Sequence, residues 1–274
     1  MTKFQIHLVL FLIYIAVGVQ FIEPAYAGLI NQAPTSKDLI FACEDKENYP
    51  FIMGTGENIY KKKPGVSIEI LKKVEEKLNI NIKFVRMPWK RALSSVESGS
   101  VDGLFEISFK EERKKIGAYP MKNEKPDKDK RFFTAKYVLY TKKDSPVKWD
   151  GQRFFNVSGM IGAPLGYSIA DDLKDKNVKV EASPSTKNDM KKLLLGRIDG
   201  AAALEYEGDN IIKRDNELQK NIKKHEIPLA VKDYYLIFSR RFYKKDKKLA
   251  QKIWDEIEAI REKELDKIMG KYYE

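Results

Sequence analysis

Gly166, Tyr167 and Ser168 come directly before a stretch of helical periodicity, where they could contact a small anion. The first turn of a helix offers unpaired backbone N–H groups and a positive dipole end, which together suit a carboxylate. The same three residues also fit a plain turn closed by an N-cap serine. The two interpretations are compatible, because a capped helix start that faces a cleft does both.

Glu44 and Asp45 offer the opposite charge. They follow the apolar run 39–42, which predicts a buried strand. Open α/β sheets place ligand-binding groups at the carboxyl ends of their strands, so either carboxylate could accept a hydrogen bond from a ligand ammonium. Both residues fit a solvated turn equally well, and the sequence leaves the two alternatives open.

Arg113 and Ser108 form a third group of candidates. A guanidinium is planar and can bind a carboxylate through two parallel charge-assisted hydrogen bonds, and a nearby serine hydroxyl could add a donor. Every residue from 110 to 115 is charged, however. Composition alone therefore favours an exposed helix face for Arg113.

A five-residue motif occurs twice, as GSVDG at 99–103 and as GRIDG at 196–200. Each copy follows an apolar-periodic segment, so its first glycine is expected to end a helix with a positive φ. The aspartate of each copy, Asp102 or Asp199, is expected to turn the chain locally. A short apolar strand follows each time. Two such units predict two α/β lobes of similar plan, with a cleft between them that could bind a ligand.

Strands and helices alternate along the chain, which predicts a parallel sheet in each lobe. The apolar patterns predict strands at 39–42, 80–85, 132–141, 157–161, 178–180, 198–204 and 234–239, helices at 66–78, 111–116 and 187–195, and further helices from Pro88, from Ser168 and near the C-terminus. The strands at 132–141 and 234–239 are expected to cross between the lobes. The predicted domains are 28–140 with 233–274 as lobe one, and 141–232 as lobe two.

Residues 1–27 have the pattern of a secretory signal peptide. They carry Lys3 near the start, an apolar run over 8–22, and Ala25-Tyr26-Ala27 at a cleavage site of small residues. A membrane anchor is the rival interpretation, but polar residues close the apolar stretch early. No cysteine follows this run directly, so a lipid anchor is not expected. The predicted mature chain starts at Gly28 and lies in the periplasm.

The net charge of +11 would suit an anionic partner such as nucleic acid, but the lysines are scattered along amphipathic helices and form no nucleic-acid motif. Cys43 lies in an apolar run and is expected to be a buried small hydrophobe. His225 has no metal-ligand companions. We therefore expect no nucleic-acid partner, no metal and no cofactor.

The order of several short motifs resembles the solute-binding proteins of bacterial uptake systems, family 3, which include binders of polar amino acids. The motifs are Tyr49-Pro50-Phe51, the helix start at 88–93, the two glycine-flanked aspartate turns, the segment 108–113, Gly166-Tyr167-Ser168, Phe238-Ser239 and the terminal 268–273. The resemblance implies a periplasmic-binding-protein-like fold of type II. In this fold two α/β lobes, joined by a two-stranded hinge, close on a ligand.

The resemblance also implies roles for individual residues. Arg113 matches the family's arginine that binds the ligand α-carboxylate, with Ser108 beside it and the turn at 166–168 opposite. Glu205 stands one residue beyond the position of the family's amine-binding aspartate, which Leu204 occupies here.

Aromatic side chains could wall the apolar part of the pocket. Tyr49 and Trp89 are the candidates, because both stand at the ends of predicted elements.

The function implied by the resemblance is a non-catalytic, monomeric binder that delivers a small polar solute, an amino acid or related carboxylate, to an inner-membrane ABC permease. A sensory binder that signals to a membrane receptor is one alternative. A dehydratase-like enzyme on the same scaffold is another, and it would need Glu44 or Glu205 as a general acid.

Overall fold

One nine-stranded sheet organises residues 37–273, the part of the chain that the computed structural model describes. The predicted signal peptide lies outside these residues. Across the sheet the strands are β10 (Val180–Ser183), β9 (Ile161–Pro164), β11 (Gly200–Leu204), β6 (Phe133–Lys142), β13 (Ala230–Phe238), β3 (Gly103–Ser108), β1 (Lys37–Glu44) and β2 (Ile80–Met87), and β12 (Ile222–Lys224) also pairs with β6. Two small hairpins are formed by β4 (Met121–Lys122) with β5 (Lys125–Pro126) and by β7 (Lys148–Trp149) with β8 (Phe154–Phe155).

Helices cover the strands of this sheet. They are α1 (Val66–Leu78), α2 (Trp89–Ser98), α3 (Ser168–Lys174), α4 (Thr186–Leu194), α5 (Glu205–Lys213), α6 (Asn216–Asn221), α7 (Arg240–Lys245) and α8 (Lys247–Tyr273), with 3-10 helices at Glu111–Lys115 and Lys128–Lys130. Within the described range, none is long and apolar enough to cross a membrane.

The strands β6 and β13 connect two halves of the sheet. The parallel strands β1, β2 and β3 form one half, which we call lobe one, and the parallel strands β9, β10 and β11 form the other, lobe two. β6 pairs antiparallel with β11 and with β13, and β13 continues to pair antiparallel with β3. The predicted plan of two lobes joined by two crossing strands is thus confirmed.

The apolar spacing of the sequence accounts for the long helices. α1 spans the predicted residues and buries Val66, Ile70, Leu71 and Val74 on one face, and Asn79 ends it with a left-handed φ of 49°. α8, which ends at Tyr273, packs against α1. Lobe one is therefore closed by the C-terminal helix.

Both copies of the repeated motif follow a helix with a left-handed glycine and fix the next turn with an aspartate. Gly99 ends α2 with φ 75°, and Gly196 lies just after α4 with φ 67°. In lobe one the Ile40 N–H donates to Asp102 Oδ2 at 2.9 Å. In lobe two the backbone N–H groups next to β9, at 158 and 159, donate to Asp199 Oδ2 at 2.7 and 2.6 Å. Each aspartate thus ties its turn to the neighbouring strand.

Two predicted strands of lobe two are shifted. The strand predicted at 157–161 begins only at Ile161, because Asp199 holds residues 158 and 159 in a turn and Asn156 is left-handed with φ 58°. The strand predicted at 178–180 runs over Val180–Ser183, since Asn177 is also left-handed, with φ 60°. Each strand therefore begins later in the chain than predicted, after these polar turn residues.

Cys43 is fully buried, as predicted. Burial in apolar surroundings raises the pKa of its thiol far above the usual range, so the reactive thiolate is not formed near neutral pH.

We predict that Asp199→Ala lowers the free energy of unfolding by about 1–3 kcal/mol, because two backbone N–H groups lose a charged acceptor. Urea denaturation of wild type and variant measures the difference. Asp144→Ala, which removes an exposed carboxylate in a loop of the same lobe, is the control and should change stability by less than about 0.5 kcal/mol. Equal stability of both variants would contradict the structural role of Asp199.

Candidate functional site

A cavity of about 30 Å³ lies where the two lobes meet, and side chains from both lobes and from the crossing strands line it. The lining residues are Glu44, Asn48, Ile52, Trp89, Phe105, Glu106, Ser108, Arg113, Tyr137, Tyr167, Ser168, Leu204 and Tyr234. Six of them, together with the neighbouring Gly166, belong to the residues that the sequence singled out. The structure thus brings most of the predicted site together.

Arg113 is buried in this site, with 6% of its surface exposed. Its Nη1 group donates to the Ser108 carbonyl and to Ser108 Oγ, both at 3.0 Å, and its Nη2 group donates to the Gly166 carbonyl at 3.2 Å. All three acceptors are neutral oxygens. Among residues 37–273 no carboxylate forms an ion pair with this guanidinium, and Glu112 interacts with its charge only at longer range.

The turn at 166–168 in lobe two contacts lobe one through the Gly166 carbonyl and through side chains. The contacts do not use unpaired N–H groups at the start of α3. The N-cap of α3 is Tyr167, so the prediction of Ser168 as the cap is wrong. Gly166, with φ 80°, directs its carbonyl toward Arg113 and also toward Trp89 Nε1, which donates at 3.1 Å. Ser168 instead forms a hydrogen bond with Ser108, at 3.0 Å between the two hydroxyl oxygens.

Lys232 on β13 is a functional candidate that the sequence analysis missed. Its Nζ donates to Ser168 Oγ at 2.9 Å and forms an ion pair with Asp172. Partial burial lowers the pKa of this lysine. The sequence gave no signal for Lys232. The pairing of β13 with β6 brings this residue next to the turn at 166–168, and that pairing is not visible in the local sequence.

Glu44 lies at the opposite wall of the cavity, at the end of β1. The Tyr167 hydroxyl donates to Glu44 Oε2, and the Trp89 ring packs edge-on against the Tyr167 ring at 6.2 Å between centroids. Burial raises the pKa of Glu44 to about 7. Of the two alternatives for Glu44, the geometry favours the cleft over a solvated turn.

Glu106 was also missed. It lies in the fully buried strand β3, is 7% exposed, and has a left-handed φ of 61°, which is unusual for a residue other than glycine. Asn48 Nδ2 donates to Glu106 Oε2 at 2.8 Å, while Glu106 Oε1 and Asn48 Oδ1 are buried without a partner. Burial raises the pKa of Glu106 to about 8. One acidic residue within the apolar run 103–107 is the signal that could have revealed it.

Three predicted site residues lie outside the lining of this cavity. Glu205 is the first residue of α5, so its side chain turns away and pairs with Lys224 at 2.9 Å. Asp45 pairs with Lys46 at 3.4 Å. The Tyr49 hydroxyl donates to the carbonyl of Tyr272 in α8. The geometry therefore does not support contacts of these three side chains with a ligand in the cavity.

A second cavity, of about 410 Å³, lies beside the first between the segment 46–60 and residues 185–218. Tyr49 lines it, as does Glu207, which accepts a hydrogen bond from Thr186 Oγ1 at 2.8 Å. Burial raises the pKa of Glu207 from an ordinary 4.5 to about 8. Burial thus raises the pKa of a third carboxyl group in this region, beside those of Glu44 and Glu106.

Residues 40–274 match the family model of bacterial extracellular solute-binding proteins, family 3. The chain belongs to this family. The match includes almost all of the described residues. No curated protein sequence matches the chain significantly.

Solved structures share the fold of this family 3 protein. An amino acid ABC transporter substrate-binding protein from Streptococcus pneumoniae bound to L-arginine has 20% sequence identity and a TM-score of 0.65, covering 86% of this chain and 94% of that one. The GluR0 ligand-binding core from Nostoc punctiforme with L-glutamate has 15% identity and a TM-score of 0.65, covering 86% and 99%. A histidine kinase sensor domain has 16% identity and a TM-score of 0.68, covering 87% and 96%. The predicted periplasmic-binding-protein-like fold is thereby confirmed.

The buried carboxyl groups predict an unusual pH profile of stability. Glu207 has a pKa near 8 in the folded protein and an ordinary value of 4.5 when exposed, so the folded state binds more protons between these values. The free energy of unfolding should therefore fall as pH rises from about 5 to about 8. Glu207→Gln should flatten this profile by about 1 kcal/mol per pH unit, measured by urea denaturation at several pH values.

The control for this experiment is Glu226→Gln, which neutralises an exposed carboxylate in the same lobe. Its profile should run parallel to that of the wild type. A Glu207→Gln profile that is also parallel to the wild type would contradict the assignment of a raised pKa to Glu207.

Proposed function

We propose that this protein binds a small polar solute, an amino acid or a related carboxylate, in the cavity between its lobes and delivers it to an inner-membrane ABC importer. The Arg113 guanidinium carries this proposal. It is buried in the cavity, and its hydrogen bonds end on the neutral oxygens of Ser108 and Gly166. A buried charge is stable when an opposite charge pairs with it, and a carboxylate fits the guanidinium in two parallel hydrogen bonds. A solute carboxylate would supply that pairing.

Opening of the cleft is part of the proposed binding cycle. The cavity of about 30 Å³ has room for about one water molecule, so an amino acid needs the lobes to separate before it enters. Contacts between the lobes hold the observed closed form, among them Lys110 with Asp171 and Arg214 with Glu47, both at 3.0 Å. Exchange of such surface ion pairs for solvent costs little, which suits a reversible closure.

The crossing strands β6 and β13 are the proposed hinge, because in the described part of the chain they alone continue from one half of the sheet into the other. The proposed lobes are 28–140 with 233–274, and 141–232. Closure around the cavity uses residues of one chain, and we propose a monomer.

The proposed location is the periplasm, reached through the signal pattern of residues 1–27 without a lipid anchor. The description of the family as extracellular supports this location. The substrate-binding neighbours from amino acid ABC transporters support an ABC permease as the partner.

A sensory role is the second candidate, since the histidine kinase sensor domain shares the fold at a TM-score of 0.68. Copurification of the tagged mature chain from its own membranes separates the two roles. A permease in the eluate supports import, and a receptor kinase supports sensing.

Arg113→Ala should weaken solute binding by about 2 kcal/mol or more, at least about thirtyfold, because the solute carboxylate loses its charged partner. Arg113→Lys keeps the charge but not the planar fork and should bind with intermediate affinity. A thermal-shift screen of residues 28–274 against amino acids, small carboxylates, polyamines and short peptides finds the solute, since a ligand of the folded state raises the midpoint. Calorimetry then gives the affinities.

Arg91→Ala is the matched control, because it removes an exposed arginine from α2 of the same lobe and should bind like the wild type. Retained affinity in Arg113→Ala, or no midpoint shift of the wild type with any compound of the screen, would overturn the proposed function.

A further inference from the structure

We propose that six exposed cations of lobe one form a basic patch that binds the anionic headgroups of a lipid bilayer. They come from the 3-10 helix Glu111–Lys115, from α7 and from the first turn of α8, and they are Lys115, Arg240, Lys244, Lys245, Lys247 and Lys248. The proposal goes beyond solute binding and does not rest on it. It gives a function to part of the net charge of +11, which the solute site does not use.

Positive charge is dense in the segment 240–248. Six of its nine residues are lysine or arginine, and one is acidic. The guanidinium of Arg240 donates to the backbone carbonyls of Lys114 and Lys115. These hydrogen bonds hold the 3-10 helix next to α7, so Lys115 extends the patch.

Two carboxylates beside the patch are paired with cations that do not belong to it. Asp246 forms an ion pair with Lys37 at 2.5 Å, and Glu111 forms one with Lys114 at 2.7 Å. Within residues 37–273, none of the six cations of the patch forms an ion pair with a carboxylate. Their charge is therefore available to a partner of opposite charge.

The aromatic residues of α7 pack into the protein rather than toward such a partner. Phe242 is buried, and its ring packs against Phe238 at 5.0 Å between centroids. The Tyr243 ring packs against Trp254 at 5.8 Å. Proteins that bind single-stranded nucleic acid stack bases on free aromatic rings, whereas lipid headgroups need only the charges. The patch therefore fits a bilayer surface better than a single strand.

The patch lies at the end of the sheet opposite the solute cavity. Asp246, in the middle of the segment 240–248, pairs with Lys37, the first residue of β1. Glu44, the last residue of β1, lines the cavity. A strand of eight residues spans about 23 Å. A bilayer in contact with the patch therefore leaves the cleft open to solute.

A bilayer is the anionic surface that this part of the chain encounters during the proposed export. The apolar run 8–22 then enters the membrane, and only residues 28–36 separate the predicted cleavage site from β1. Clusters of about four to eight lysines and arginines beside a membrane are typical of surfaces that bind anionic lipids. The patch would hold the protein reversibly at the membrane that contains its proposed importer.

Vesicle cosedimentation of residues 28–274 tests the patch, because this chain lacks the apolar run 8–22. The probes are vesicles of phosphatidylcholine and vesicles with about one third of the anionic lipid phosphatidylglycerol. The wild type should bind the anionic vesicles at least about tenfold more tightly than the neutral ones. Raising the salt concentration from about 0.05 M to about 0.5 M should release it, because salt screens exposed charges.

The triple variant Lys244→Gln, Lys245→Gln, Lys248→Gln removes half of the patch. It should bind anionic vesicles at least about tenfold more weakly than the wild type, since each cation near such a surface contributes about fivefold. All three side chains are exposed, so the unfolding midpoint in a thermal scan should stay at the wild-type value.

The matched control is the triple variant Lys61→Gln, Lys62→Gln, Lys63→Gln, which changes the net charge equally. These lysines are exposed in a loop of the same lobe, outside the patch. The control should bind anionic vesicles like the wild type.

Two outcomes with vesicles would overturn the proposal. One is equal binding of the wild type to neutral and anionic vesicles, and the other is an equal loss of binding in both triple variants. A duplex DNA of about 20 base pairs, followed by fluorescence anisotropy, is the competing polyanion. DNA binding that the patch variant loses, without binding to anionic vesicles, would assign the patch to nucleic acid and overturn the lipid partner.

Discussion

The architecture of the site depends on one constraint: the Arg113 guanidinium is buried, and its hydrogen bonds within the described residues end on neutral oxygens. Arg113 is positioned by the end of β3 and by the turn of lobe two, through the carbonyls of Ser108 and Gly166. The hydrogen bonds to Ser108 and Gly166 use three of its five N–H groups, and none of the acceptors carries a charge. Two acidic side chains also line the cavity, the half-buried Glu44 and the buried Glu106, and neither forms an ion pair within residues 37–273. The proposed solute carboxylate would supply the counter-charge of this guanidinium.

The fold makes this arrangement possible because both lobes and the crossing strands line the cavity. β1 and β3 bring Glu44, Glu106 and Ser108 to one sheet half, and the turn before α3 brings Gly166, Tyr167 and Ser168 from the other. Within residues 37–273, only β6 and β13 continue between the halves. In the proposed cycle, a rotation about these two strands would expose or enclose all of these groups together and would couple binding to closure.

Much of the fold could be predicted from local sequence patterns. The apolar spacing of residues 66–78 gave the bounds of α1, and the repeated turns gave two lobes, because helix faces and left-handed glycines are local properties. The predicted starts of β9 and β10 were too early in the chain, since the turns before these strands depend on Asp199 and on left-handed asparagines. Bonds between distant residues are invisible to local patterns.

The candidate site was predicted less completely for the same reason. The motif match located Arg113 and the turn at 166–168. Which other residues line the cavity depends on the direction of their side chains. Glu205 begins a helix and turns to Lys224, whereas Glu106 lies in a strand whose conformation turns it to the cavity. Lys232 reaches Ser168 only through the pairing of β13.

A crystal structure of the mature chain with its tightest-binding small solute tests the central claim most directly. The account predicts a solute carboxylate within about 3 Å of the Arg113 guanidinium nitrogens, in the cavity between the lobes. A solute bound in the second cavity, with Arg113 still bonded only to Ser108 and Gly166, would contradict it.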